Sequence, residues 1–246
     1  NHFFERIGAV SAQKRTSRHS DTPRMDTPHS RRRVSMDDYD WADLIDQEDK
    51  VRMLITPQSE YAMAGANAMG RAMDTAIIEA AVGNAYGGVA GGTTIVLPSA
   101  QKVVHGSAGL TVAKLLSAKE ILDGSDVDAD EERFCILSAK QVTDLLNTTE
   151  VKSSDYNTVK ALAQGQLDTF LGFKFIRSER LGTDTDGNRQ VTVYNKSGLG
   201  LAMGSEIQTR ISERDDKNYA TQVFLSMTIG ATRVEDEKVV EIACQE

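Results

Sequence analysis

The sequence is poor in the residue types from which most catalytic and secreted folds are built. Of 246 residues only two are cysteine, Cys135 and Cys244, set in the apolar runs RFCIL and VEIACQE. Without a C-x-x-C spacing they read as buried, reduced thiols. Four histidines, His2, His19, His29 and His105, lie far apart in the chain, so no zinc ligand set is expected. No apolar run approaches the roughly 20 residues needed to cross a bilayer as a helix. The opening NHFFERIGAV lacks the apolar stretch of a signal peptide, and since the chain starts at Asn1 rather than Met, a leading segment is left open.

The motifs of common chemistries are missing too. There is no GxSxG, HExxH or phosphate-loop pattern, and no Ser, His or Asp sits in a setting that would activate a nucleophile. The glycine-rich NAYGGVAGGTT has no lysine after it and no strand before it, so it reads as a flexible hinge rather than a phosphate cradle. An EF-hand loop started at Asp126 would need glycine at Glu131 and glutamate at Leu137, and one started at Asp184 would need glycine at Arg189. Both are rejected. The carboxylate pairs in DDYD and DADEE lie in solvated runs, and the triplets at Asn147 and Asn195 match glycosylation sites only as chance allows. No catalytic residue, metal or cofactor is expected; a small acid-rich hydrolase is the reading from a different class.

What the chain does have is charge sorted along its length. Residues 1–36 carry eight basic groups, Arg24, Arg31, Arg32 and Arg33 among them, against three acids. Residues 37–50 reverse this, with Asp37, Asp38, Asp40, Asp43 and three further acids against Lys50. Net charge is −8, so the chain as a whole repels phosphate, and a basic arm on it is better suited to an acidic protein surface than to nucleic acid. With little apolar content and with Pro23 and Pro28, residues 1–36 read as an extended arm without a core of its own. Residues 39–54, where Trp41, Leu44 and Ile45 alternate with acids, read as a half-buried connection.

A long helix follows. Thr56 is its expected N-cap and Pro57 its first residue, and it should run to Val82. Tyr61, Gly65, Met69, Met73, Ile77 and Ala80 or Ala81 are its expected packing stripe. At 1.5 Å per residue such a rod spans about 39 Å. Beyond it come a short strand at TIVLP, a helix capped by Thr111 and stopped at Gly124, a buried strand in ERFCIL and a helix capped by Ser138. A partly helical stretch is expected over 153–170, then a strand in GFKFIRSERL returning through a hairpin turn at TDTDGNRQ into QVTVY. Long strands over 207–232, turned at ERDDKN, and a last strand in VEDEKVVEIAC close the chain.

Five stretches in this order, RRRV, DYDWADLIDQEDK, TPQSEYAMA, GRAMD and RDDKNYATQVFLSMTIGATR, resemble the major capsid proteins of tailed bacteriophages, in particular the podovirus-type phage capsid group. The resemblance spans the chain and implies an α+β Hong Kong-97-type capsid fold. It places an N-arm and extended E-loop in 1–55, the spine helix of a peripheral domain and its hinge in 56–92, and an axial domain in 93–206. The peripheral strands fall in 207–236 and a last strand, of the axial domain, in 237–246. It further implies hexamers and pentamers of an icosahedral shell in the virion, assembled in the host bacterial cytoplasm around double-stranded DNA. Scaffolding and portal proteins are the implied partners, with any decoration protein left open, and no membrane is involved. Arg24, Arg31, Arg32, Arg33, Asp37, Asp38, Asp40, Trp41 and Asp43 are the expected inter-subunit contacts, and Tyr61, Met69, Met73 and Ile77 the expected packing of the spine helix. Some members cross-link through an E-loop lysine; Lys14 is the only lysine before Lys50, so that chemistry is not expected here. An encapsulin-type nanocompartment shell shares the fold and is the alternative.

Overall fold

Strict alternation in ATQVFLSMTIGATR makes one strand the floor of a core. Val223, Leu225, Met227 and Ile229 all point to one side, as a period of two requires, and all four are buried. In the structure, a computed structural model that describes residues 1–8, 10–14, 17–18, 24–46, 57–125, 127, 130–147 and 169–246, this strand is the centre of a three-stranded antiparallel sheet. The N-terminal strands are β1 (His2–Ile7), β2 (His29–Val34) and β3 (Asp37–Ile45). The long helix is α1 (Pro57–Val82), followed by β4 (Ala85–Gly87), β5 (Thr93–Ile95) and β6 (Lys102–Val103). Then come α2 (Val112–Gly124), β7 (Arg133–Leu137), α3 (Ala139–Asn147), β8 (Thr169–Phe170), β9 (Phe173–Arg177) and β10 (Arg189–Asn195). The chain ends with β11 (Leu199–Arg214), the floor strand β12 (Ala220–Arg233) and β13 (Val239–Cys244).

Three sheets result, in the orders β1-β2-β4-β5, β6-β13-β10-β7-β9-β8 and β11-β12-β3. Two cores form. In one, α1 lies on the β12 face, with Met69 buried and Tyr61, Ala62, Ala72, Met73 and Ala76 packed against the same cluster. In the other, the six-stranded sheet carries α2 and α3 over Cys135, Leu137, Phe173, Val191, Val193 and Ile242. Ile78 of α1 belongs to this second cluster. A stripe read at i, i+4 drifts by about 40° per step around a helix of 3.6 residues per turn. The drift carries Ile77 off the sheet, and Ile78 meets the second core in its place.

Both short helices start as their sequences dictate. The Thr111 hydroxyl accepts the Lys114 N–H at 3.4 Å, and the Gln141 side chain accepts the Ser138 N–H at 3.1 Å, one half of a capping box. The α1 boundaries agree with the sequence reading, while its expected cap, Thr56, lies outside the described residues, as does most of the stretch expected to be partly helical.

Four expectations are corrected. Residues 1–36 are not an arm without ordered partners: β1 and β2 pair antiparallel from His2–Val34 to Ile7–His29, and Val34 is buried. The connection at 37–45 is a nine-residue edge strand paired along β12 from Ile229–Asp37 to Thr221–Ile45. The glycine-rich hinge is a hairpin, β4–β5, whose turn places Gly88 at φ +92° and Gly91 at φ +67°, where a side chain would be strained. Finally, β9 and β10 do not pair with each other, because β7 lies between them, parallel to β9 and antiparallel to β10. The turn at Asp184–Gly187 forms, but the strand that fills the gap comes from earlier in the chain.

Close approach of α1 to its sheet depends on Gly65. A Cβ there would stand 2.7 Å from Trp41 Cε3 and 2.7 Å from Leu225 Cδ1, whereas one on Gly70 would meet nothing within 4 Å. Gly65→Val should lower unfolding free energy by about 1–3 kcal/mol through overpacking. Gly70→Ala should raise it by about 0.5–1 kcal/mol through helix propensity. Urea titrations of the two variants check both signs.

Candidate functional site

Three successive arginines on a strand cannot share a fate, because neighbouring side chains leave opposite faces. Arg31 and Arg33 take one face of β2. The Arg31 guanidinium lies 5.7 Å over the Phe3 ring and 3.8 Å from Glu5, and that of Arg33 stacks 5.2 Å over Tyr86. Arg32 takes the other face and is 6% exposed. It donates from Nη2 to the Asp236 carboxylate at 2.8 Å, within its own chain. Burial holds its pKa below the ordinary arginine value, with Asp236 acting against that shift.

Asp236 has a second, deeper partner. Arg233 is fully buried, and its Nε donates to Asp236 Oδ1 at 2.6 Å. Its Nη1 donates to the carbonyls of Ala81 (3.1 Å) and Gly83 (2.6 Å), and its Nη2 to that of Ile95 (3.1 Å). The last turn of α1 contains no basic residue, so Arg233 supplies from β12 the cation that a helix C-terminus favours. One carboxylate thus joins β2, the end of α1, β5 and the exit of β12.

The flanking residues extend the junction. Glu237 lies 3.6 Å from Arg6 of β1. Lys238 faces the other way, 3.1 Å from Glu235 and 3.7 Å from Glu131, and donates to the Ser197 hydroxyl at 2.6 Å. Segment 235–238 is therefore an ionic hub between the arm strands and the six-stranded sheet that β13 enters.

The acidic residues read from the sequence fall on β3. Asp37, Asp38, Asp40 and Asp43 are exposed along this free sheet edge. Asp38 accepts from the Thr228 hydroxyl at 2.6 Å, and Asp43 from the Leu44 N–H at 2.8 Å. Trp41 is half-buried against the core of α1 and abuts Gly65, so its main contact lies inside the subunit. Arg24 is exposed between the arm strands. The basic and acidic blocks, neighbours in sequence, are thus carried by different sheets; Arg31 and the β3 aspartates are left exposed, Arg33 is half-buried over Tyr86, and Arg32 is held inward. Tyr61, Met69 and Met73 belong to the cluster between α1 and β12, and Ile77 enters neither cluster.

Sequence reasoning missed Arg233, Asp236, Arg6, Glu237 and Lys238. One signal was available: Arg233 has the inward parity of Val223, Leu225, Met227 and Ile229, and an arginine on the inward side of a strand needs a buried partner. Lys114 was also missed. Its ammonium group is nearly buried and donates to the carbonyls of Ala108, Gly109 and Ala243 at 2.7, 2.8 and 3.1 Å, tying α2 to β13.

The two thiols are not poised for covalent chemistry. Cys135 and Cys244 are free and buried; burial raises the pKa of both, that of Cys244 to about 11. Among the described residues no cluster of His, Cys, Asp and Glu could hold a metal ion, and no helix is long and apolar enough to cross a membrane.

A family model described as phage capsid protein matches residues 1–246. No curated protein matches the chain. Among solved structures, the capsid of Cyanophage P-SCSP1u is similar at 19% identity, with a TM-score of 0.72 over 100% of this chain and 83% of that one. Mycobacterium phage Che8 is similar at 16% identity and a TM-score of 0.68, over 98% and 83%. The head of Helicobacter pylori bacteriophage KHP40 is similar at 10% identity and a TM-score of 0.72, over 99% and 84%. The fold is the Hong Kong-97-type capsid fold that the resemblance implied.

Two outcomes follow from this geometry. Arg233→Met should cost about 3–5 kcal/mol, because it leaves the helix carbonyls and Asp236 without their buried cation; the urea midpoint reports it. Neither thiol should react with iodoacetamide in the folded subunit at mildly alkaline pH, and both should be alkylated in concentrated guanidinium, as intact-mass spectrometry will read out.

Proposed function

The chain belongs to the phage capsid protein family and serves as a major capsid protein, and from that premise we propose that it forms hexamers and pentamers of an icosahedral shell around double-stranded DNA. In this reading the shell assembles in the host cytoplasm with scaffolding and portal proteins. The β1–β2 strands are the E-loop, α1 with the three-stranded sheet is the peripheral domain, and the six-stranded sheet with α2 and α3 is the axial domain. In this reading β3, which pairs with β12, goes with the peripheral sheet. An encapsulin-type shell is not favoured, since the family and the solved neighbours are phage capsids.

The observation that carries the assembly reading is the surface of the arm. In its outer half Glu5, Ile7, His29, Ser30 and Arg31 are exposed, Arg6 alone being largely covered, and Val10 and Val89 are exposed as well, Val89 beside Arg31. A strand pair that keeps apolar and cationic groups in water is suited to lie on another protein, and the exposed aspartates on the β3 edge of a second copy are complementary to it. The −8 net charge also suits a container wall, which should not hold the enclosed duplex tightly.

Size-exclusion chromatography and negative-stain electron microscopy of the full chain, alone and co-expressed with its genomic neighbours, test the reading. Closed shells or separate hexamers and pentamers are expected; a monomer that persists under co-expression would overturn it. Reversing the outward charges with Arg24→Glu and Arg31→Glu should reduce particle yield by about tenfold or more while leaving the subunit's unfolding midpoint unchanged. Arg32 is excluded from that test because its charge is held within the chain.

A further inference from the structure

The arm meets the rest of the subunit through a narrow base. On the inward face, Arg32 reaches Asp236 and Arg6 approaches Glu237, both acids belonging to one turn of 3₁₀ helix at Asp236–Lys238. Phe4 reaches Gly200, where an added Cβ would stand 2.8 Å from its ring. Sideways, β2 pairs with β4 at only two positions, Arg32–Gly87 and Arg33–Tyr86. Beyond this base the strands hold each other and little else. The two cores, by contrast, are apolar and continuous, and neither includes a residue of β1 or β2.

These features separate two kinds of cohesion. The body is held by two apolar cores, while the arm is held to it by a largely buried ion pair, a longer one, a few strand-edge contacts and two apolar contacts, Phe4 on Gly200 and Val34 beside Gly230. Arg32 is also incompletely satisfied: its Nε is buried without a hydrogen-bond partner. Asp236 holds two arginines with one carboxylate, and only Arg233 has carbonyl acceptors to share its remaining donors. The Arg32 side of the triad is the weaker side.

We propose that Asp236 is a latch: the β1–β2 arm opens and closes on the subunit body as one unit, and the Arg32–Asp236 pair is the catch that fixes its direction before a neighbouring subunit is met. The pair closes only when β2 lies flat over the end of β12, so arm direction and body are locked together in the free subunit. A preset direction reduces the ordering that binding would otherwise demand. Opening breaks the Arg32–Asp236 and Arg6–Glu237 pairs and two strand-edge positions, lifts Phe4 from Gly200 and Val34 from beside Gly230, and leaves both cores intact. The consequence for assembly rests on the shell reading above; the latch itself does not.

Hydrogen exchange with mass spectrometry on the full-length, unassembled subunit tests the latch. Arg32→Ala removes the catch and leaves Arg233 with Asp236. Amides of residues 2–7 and 29–34 should then exchange about tenfold faster or more, while those of β10, β12 and β13 keep their protection. Asp236→Asn should add faster exchange at the end of α1 and at β5, because Arg233 loses its anion as well. Should Asp236→Asn fail to fold, Arg32→Ala alone decides, since the Arg233 anchor is intact in it. Acceleration spread evenly over the whole chain in Arg32→Ala would show that the pair is part of the global fold, and unchanged exchange in the arm would show that something else holds it. Either result overturns the latch. Failure of the unmodified chain to form shells would count against the assembly reading and leave the exchange result standing.

Discussion

A single, largely covered carboxylate, Asp236, organises the places where the three sheets of this subunit meet. Burying Arg233 completely is costly unless every donor finds an acceptor. The chain comes close to that demand, placing four of the five N–H groups on Asp236 and on three backbone carbonyls from segments distant in sequence, Ala81, Gly83 and Ile95. The carbonyls at the end of α1 need a cation or a cap, and the helix brings no basic residue of its own. Two deficits, a buried charge and an uncapped helix, cancel each other at one point. The geometry of that point sets where β4–β5 leaves the helix and, through Arg32, where the arm leaves the body.

The long helix belongs to this constraint. Over most of its length it packs on β12 through Met69 and small residues, and Gly65 lets Trp41 and Leu225 come against its backbone. Near its end Ile78 enters the core of the six-stranded sheet. One rigid rod therefore contributes side chains to both cores, and its terminus is clamped where the cores adjoin. A rod in two cores transmits orientation between them, whereas a loop in the same place would let them move independently. Lys114 ties α2 to β13 with the same economy, using three carbonyls and no carboxylate hydrogen bond.

Much of this was legible in the sequence wherever the signal is local. The limits of α1, the caps at Thr111 and Ser138, the alternation of β12 and the turn after Arg214 follow from spacing and from residues within a few positions of each other. What was not legible depends on partners far away in the chain. The arginine-rich arm seemed to lack a core because strand pairing, not apolar content, orders it; His2 through Ile7 find their partners in residues 29–34. β9 and β10 looked like a hairpin because periodicity cannot say that β7 will lie between them. The candidate site was half legible: the outward charges were named, but the partner of Arg32 lies 204 residues away. Only the inward parity of Arg233 hinted at it.

The placement of arginines and aspartates on either side of Ser35 and Met36 has a physical reading that does not require them to pair with each other. Strand alternation divides the arginines, leaving Arg31 exposed, Arg33 half-buried over Tyr86 on the same face and Arg32 inward, and the turn sends the aspartates onto a different sheet. Within one subunit the outward charges are therefore kept apart. A second copy of the chain offers the same two surfaces, so the arginines of one copy and the aspartates of another can meet without either being lost to an internal contact. An arm held to its own body by apolar burial would have to give up that area to move. One held mainly by ion pairs and strand-edge contacts can be released and closed again with both cores untouched, although Phe4 and Val34 are uncovered while it is open. For a subunit that must stay soluble alone and then commit to its neighbours, the second arrangement separates stability from direction: the cores set the first, and Asp236 sets the second.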